Sequence, residues 1–274
     1  MKTKKIVSDI IMNAIVWSIS LVVLIPLVVI LLNAFKSQAE ANSMSFSLPK
    51  EWMFENFLVV VERGKLVASF LNSLLYAASS SVIIILIVAA AVFTLARNRS
   101  QFNRFIYYFL IAGISIPINH VALMEVMKLT FLMNTRIGII LIYTAMNIPL
   151  SIFLGYGFVN TIPKEIDEAA VIDGCTPIML FGTVIIPLLK PILSTLFILN
   201  FMTVWNDFIM PLYFLNNSGQ WPMTLAVYNF FGAFENSWNL VSANIVLTLL
   251  PVFIVFILGQ KHIVGGISAG AVKG

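Results

Sequence analysis

Residues 161–191 read TIPKEIDEAAVIDGCTPIMLFGTVIIPLLKP. The first half is polar and acidic, and it stands between two long apolar runs. Its spacing predicts a helix, a turn and a second helix. Pro163 fits a first turn, where its missing N–H costs nothing. Glu165, Asp167 and Glu168 follow in the early turns, where acids complement the helix dipole. Ile166, Ala169 and Ala170 fall at i, i+3 and i+4 and form one apolar strip of mostly small residues, which lets another backbone approach. Gly174 ends the helix, as a residue free to take positive φ. Thr176-Pro177 restarts one, with a hydroxyl N-cap followed by proline at N1. A connector lying on an anionic membrane surface is normally basic. This one is acidic, which fits docking of a soluble partner better.

The rest of the chain is membrane-like. Hydrophobic residues make up 60% of its 274 positions and charged residues only 10%, against about a quarter in a soluble domain. Mean hydropathy is +0.98, too high for one soluble core. Six runs approach the roughly 20 residues that a span needs, at 10–32, 70–93, 105–125, 137–158, 188–212 and 241–259. The expectation is an all-α polytopic membrane protein, a single domain with six transmembrane helices, since lipid leaves an open segment no other way to satisfy its backbone. Lys2, Lys4 and Lys5 before the first run and Ala39-Glu40-Ala41 after it mimic a signal peptide. The apolar stretch is longer than the ~7–15 residues of a signal core, so it reads as a retained span.

Net charge is +4, and juxtamembrane cations account for it without nucleic acid. An even span number puts both termini on one side. With the termini inside, the inner segments hold Lys2, Lys4, Lys5, Arg97, Arg99, Arg104, Lys164, Lys190, Lys261 and Lys273. The outer segments hold Lys36, Lys50, Arg63, Lys65, Lys128 and Arg136. The excess supports cytoplasmic termini in a cell membrane. Residues 160–187 are then an inner helix–turn–helix. Residues 34–69 form an outer loop with an amphipathic stretch at Glu55–Lys65, and 213–240 a second outer loop. The lone Cys175 excludes an intrachain disulfide or a multi-cysteine site.

Several motifs together resemble one family. Glu168-Ala169-Ala170, Asp173-Gly174 and Ile186-Pro187 resemble the EAA signature of permease subunits of ABC importers. Trp205-Asn206-Asp207-Phe208 resembles the WNDF of carbohydrate-type permeases. Gln260-Lys261, Gly265-Gly266-Ile267 and Gly270 to Gly274 resemble their C-terminal tail (260–274), and the Arg97–Arg99 segment also fits. The resemblance covers most of the chain and points to the smaller permease subunit of a maltose-type importer, with the type I fold. Cys175 departs from the small alanine often found there.

This resemblance implies partners: a second homologous permease, two ATPase subunits and an extracytoplasmic sugar-binding protein. Glu168, Ala169, Ala170, Asp173 and Gly174 would form a coupling helix in a cleft of one ATPase, with Glu168 pairing a basic residue there. The tail, through Gly266, Gly270 and Lys273, would also touch the ATPases. The loop at Asn216, Asn217, Ser218, Gly219 and Gln220 would face the binding protein. No cofactor is expected on this chain; ATP and Mg would sit on the ATPases.

The remaining polar residues give weaker signals. Asn119, His120, Asn147, Asn206 and Asp207 are candidates for the translocation path, with Tyr143 beside them. Asp207 is the one acid within an expected span, so it should face protein or water. A polar clamp at a kink before Pro211 is its alternative role, and helix packing is the alternative for His120. His120 and His262 are too isolated for a metal site. Gly266-Ile267-Ser268-Ala269-Gly270 fits the G-x-S-x-G elbow of hydrolases, which needs a strand before it and Asp and His after it. Neither context is present, and no Gly-Lys-Ser/Thr P-loop occurs. The competing readings are a permease for another small solute, a secondary transporter, which expects more intramembrane ion-site residues, and an intramembrane enzyme, which expects a catalytic pair.

Overall fold

The computed structural model describes residues 2–98, 100–230 and 237–271, with side chains described only between 10 and 260. Among these, every regular element is a helix. Five helices are long and apolar enough to cross a membrane: Ile10–Ala34, Leu66–Arg97, Arg136–Val159, Pro177–Asn206 and Trp238–Gln260. Gln101–Ser115 and His120–Leu129 form a bent pair that makes a sixth if counted as one span. The spans are numbered in that chain order below, the bent pair being the third.

Two expected spans need correction. The run at 105–125 is not one straight helix, because its two halves meet at 119°. Pro117 lacks an N–H and pushes Ile116 out of helical geometry, to φ −85 and ψ 117. Asn119 then starts the second half, its side chain accepting from the Ala122 N–H at 3.0 Å. The run at 188–212 begins and ends earlier than expected. The fifth span starts at Pro177, passes through a π-helical segment at Leu180–Ile185, and stops at Asn206. The second arm of the helix–turn–helix is therefore the foot of the fifth span.

The chain divides into two compact units. One comprises residues 1–67 and 226–250. Its hub is the buried Asn56 on the Glu55–Arg63 helix. The Asn56 amide donates to the carbonyls of Ala34 and Lys36, each at 2.9 Å, and its oxygen accepts from the Asn239 amide at 3.0 Å. Phe35 packs against Trp52, Phe54 and Phe57 with ring centroids 5.0–5.3 Å away. The chain after the first span is thus a folded cap. Most of the first span itself, from Ile10 to Leu24, is exposed apolar surface.

The other unit comprises residues 68–225 and 251–274. Its core joins Ile84, Val88, Val92 and Leu95 of the second span, Ile152 and Phe158 of the fourth, and Leu189, Ile192 and Leu196 of the fifth. Gly155 allows the second and fourth spans to approach, since a Cβ there would lie 3.0 Å from Val92. A buried polar link crosses between the fourth and fifth spans. The Asn200 amide donates to Ser151 Oγ at 3.0 Å and to its own helix at the Leu196 carbonyl at 2.8 Å, a small-residue hydrogen bond of the kind that holds membrane helices together.

Candidate functional site

The acidic segment folds as a helix at Glu165–Ile172, with Pro163 two residues before its start. The turn after it is a Schellman motif. The Gly174 N–H reaches the Val171 carbonyl and the Cys175 N–H the Ala170 carbonyl, both at 3.0 Å, with Gly174 at φ +84. Thr176 Oγ1 accepts from the Met179 N–H at 3.3 Å, and Pro177 opens the next helix. These are the local features that the sequence predicts.

The apolar strip divides in an informative way. Ala170 is only 8% exposed and joins the core beside residues of the second, fourth and fifth spans. Glu168, Ala169, Asp173 and Gly174 face outward. Beside them Ile172 and Ile178 are each 85% exposed, and Val171 and Met179 are also open. One face of the helix–turn–helix is anchored in the bundle. The other presents an apolar knob edged by carboxylates.

Sequence reasoning did not find what locks this element in place. Arg97, the last residue of the second span, meets Asp167 through Nε at 2.5 Å and through Nη2 at 3.3 Å. Its Nη1 also donates to the Ile162 carbonyl at 3.1 Å. Arg97 and Asp167 side chains are 13% and 16% exposed. The carboxylate takes one charge-assisted hydrogen bond from Nη2 and lies against Nε as an ion pair. The only available signal was a cation at a span end and an acid far along the chain, and many residues fit that description.

The candidate path residues scatter. Asn119 is an N-cap, and the neighbouring His120 ring lies 5.1 Å from the Tyr213 ring. The Asn147 amide bonds back to the Tyr143 carbonyl of its own helix at 2.8 Å. Asn206 is exposed at the end of the fifth span. Asp207 lies outside that span, in the break before a short helix at Ile209–Phe214. Its carboxylate accepts from the Ile209 and Met210 N–H groups at 3.2 and 3.0 Å and from the Tyr143 hydroxyl at 2.9 Å. The Thr224 hydroxyl donates to the Asp207 carbonyl at 2.8 Å. These bonds tie Asp207 to the fourth span, to the start of the Ile209–Phe214 helix and to Thr224.

The loop with Asn216, Asn217, Ser218, Gly219 and Gln220 is pinned to the second span. Asn72 donates to the Gly219 and Trp221 carbonyls at 3.0 and 3.2 Å, and the Tyr76 hydroxyl donates to the Gln220 carbonyl at 2.8 Å. Asn217 braces the turn by accepting from the Gly219 N–H at 2.9 Å, and Asn134 accepts from the Asn216 N–H at 2.8 Å. Gly266 and Gly270 fall in the last helix, Trp238–Ala271; Lys273 lies outside the described residues. No group of three or more His, Cys, Asp or Glu residues that could hold a metal ion occurs among the described residues.

Comparison with known proteins agrees with this architecture. Residues 93–268 match the family model of binding-protein-dependent transport system inner membrane components. The melibiose/raffinose/stachyose import permease protein MelC of Bacillus subtilis is 34% identical over 253 residues, covering 91% of each chain. The diacetylchitobiose uptake system permease protein NgcG of Streptomyces coelicolor is 32% identical over 267 residues, 94% of this chain and 86% of that one. A chain of a bacterial ABC transporter that imports the polysaccharide alginate superposes with a TM-score of 0.79 over 92% of this chain and 95% of that chain. At 23% identity that likeness speaks for the fold alone.

Proposed function

Because this chain belongs to the family of binding-protein-dependent transport system inner membrane components, we propose that it is the permease through which an ATP-driven importer moves a di- or oligosaccharide. It is a multi-pass transport subunit of the inner membrane and not an enzyme. The single observation that carries the mechanism is the divided helix–turn–helix. Ala170 and the Arg97–Asp167 pair hold it to the bundle, while Glu168, Ile172 and Ile178 stay open to a partner.

In this reading the open face docks in a cleft of an ATPase subunit on the cytoplasmic side, with Glu168 meeting a cation there. ATP and Mg bind the ATPases. Closure of their dimer pushes the helix–turn–helix, and the push enters the bundle at two places. One is the foot of the fifth span, which is continuous with Pro177. The other is the end of the second span, through Arg97. A packed bundle has discrete arrangements, so the displacement switches access from one side to the other.

The saccharide assignment draws on the WNDF segment and on the solutes named for the relatives MelC and NgcG. It also draws on chemistry. The buried polar groups of the spans are neutral hydroxyls and amides such as Ser80, Ser81, Thr144, Ser151 and Asn200, and these suit an uncharged polyhydroxyl solute better than an ion. A second homologous permease and an extracytoplasmic binding protein complete the assembly, with the pinned loop at Asn216–Gln220 facing the latter. Within this family we place the chain as the smaller permease of a maltose-type pair, with both termini and the tail at Gly266, Gly270 and Lys273 on the ATPase side.

A mild-detergent pull-down of the tagged chain tests this. It should bring down an ATPase with Walker motifs and a second membrane permease, and Glu168→Lys should lose the ATPase while keeping the permease. A chain that purifies alone or only with itself would overturn the proposal.

A further inference from the structure

The second span, Leu66–Arg97, carries polar contacts at both ends. At its C-terminal end Arg97 holds Ile162 and Asp167 of the acidic segment. Toward its start, Ser69, Asn72, Ser73, Tyr76 and Ser80 are all buried and fall at i, i+3, i+4, i+7 and i+11, along one helix face. Three of them find partners on the segment 219–223. Asn72 donates to the Gly219 and Trp221 carbonyls, and the Tyr76 hydroxyl to the Gln220 carbonyl. Ser73 Oγ accepts from the Met223 N–H at 2.9 Å. These four hydrogen bonds lay the backbone of 219–223 along the span.

That arrangement departs from the habit of the other spans. Polar side chains there commonly turn back to a carbonyl one turn earlier on their own helix, as Thr144, Asn147, Thr195 and Thr203 do. Asn72, Ser73 and Tyr76 reach across to another segment instead. They take its backbone groups, so the grip depends on the path of the loop and not on its side chains.

Between the two sets of contacts lies the one span with neither proline nor glycine. Pro26, Pro149, Pro191 and Pro251 lie within the first, fourth, fifth and sixth, and Pro117 stands at the break in the third. Sharp kinks arise at proline, at glycine–serine pairs and at π-bulges, and the second span is α-helical throughout. The rise from Tyr76 to Arg97 is about 30 Å, the thickness of the hydrocarbon core. Asn72, Ser73, Tyr76, Arg97 and all their partners belong to the same compact unit.

We propose that Asn72, Ser73 and Tyr76 are positioning residues for transport: they fix the segment 219–223 to the second span, so that this loop moves as one body with the helix that Arg97 ties to the acidic segment. The inference rests on the importer reading and adds a route to it. The state of the ATPases reaches the outer loop along the second span. Linkage makes the coupling reciprocal, so a partner that binds the loop reaches the ATPases the same way.

Hydrogen exchange of the whole importer in nanodiscs tests this, with and without ATP and orthovanadate to trap the closed ATPase dimer. In wild-type protein, trapping should change exchange both in Glu165–Ile172 and in the amides of 219–223. Asn72→Ala with Tyr76→Phe removes three of the four bonds. It should speed exchange at 219–223 about tenfold without nucleotide, the scale of one or two hydrogen bonds. It should also erase the loop's response to trapping while the acidic helix keeps its own. Tyr76→Phe alone should retain part of the response, since Asn72 and Ser73 still hold. A merely structural role would speed loop exchange equally with and without nucleotide and leave the response intact, and that result would overturn the proposal. So would a wild-type loop that ignores trapping while the acidic helix responds. No response at either end would overturn the importer reading itself, and this inference with it.

Discussion

The Arg97–Asp167 pair makes the sharpest prediction, because it ties the acidic helix to a span far away in sequence. Asp167→Asn keeps the side chain's shape and removes its charge. The pair is mostly but not fully buried, at 13% and 16% exposure. Losing one partner of a fully buried pair costs about 3–5 kcal/mol, and a single hydrogen bond to a charged group is worth about 1.5–3 kcal/mol. Water reaches this pair, so the lower range applies. That is roughly a tenfold to hundredfold rise in the population with the acidic helix undocked from the second span. Hydrogen exchange should speed by that factor in the amides of Glu165–Ile172 and leave the fourth span alone. In proteoliposomes holding the whole importer, ATP turnover should persist while solute moved per ATP falls. Exchanging the residues, Arg97→Asp with Asp167→Arg, should recover part of the loss, and the double-mutant cycle isolates the pair. Unchanged exchange and unchanged stoichiometry in Asp167→Asn would refute the clamp.

Glu168→Lys should abolish uptake with normal membrane insertion, since Glu168 is exposed and packs on nothing the bundle needs; uptake assays with a membrane-fraction blot decide it. Gly174→Ala should cost about 1 kcal/mol locally, because φ +84 disfavours a Cβ, and should lower uptake partially; full activity with an unshifted melting temperature would sink the role given to this turn. Asp207→Ala should free the Ile209–Phe214 helix from its cap, a loss of about 0.5–2 kcal/mol, visible as faster exchange at Ile209 and Met210. If sugar specificity changed while that exchange did not, Asp207 would be a ligand and not a clamp.

What the sequence revealed followed from local rules. The Gly174 turn, the Thr176-Pro177 restart and the apolar runs each rest on neighbours within a few residues, so spacing alone exposes them. The breaks in the third and fifth spans were harder. Pro117 and Asp207 were visible, but proline also occurs inside the first, fourth and sixth long helices, at Pro26, Pro149 and Pro251, without ending them. At 117 the following Asn119 caps a new helix, and at 207 the carboxylate finds Tyr143 on another span. A break is settled by whether the freed backbone finds a partner, and for Asp207 one of those partners is distant. The partners of Arg97 and of the loop at Asn216–Gln220 were hidden for the same reason. The comparison with relatives gives the family, while the pinning of that loop by Asn72 and Tyr76 comes only from three-dimensional placement.

The fifth span offers the proposed coupling a route into the bundle. Its foot, Leu180–Ile185, is π-helical, wider than the α-helix on either side and often found where helices serve function. Leu180 and Ile185, at the ends of that segment, are buried in the same core as Ala170, while Gly182 between them has nothing within 4 Å of where a Cβ would stand. The segment is therefore gripped at both ends and open in the middle. A push on the exposed Ile178 enters the core through Leu180 before it reaches the α-helical part of the span. The same push on the acidic helix enters through Ala170 and through Arg97. Three contacts from one turn converge on the second and fifth spans, so in the proposed coupling a displacement of the turn would move those spans together.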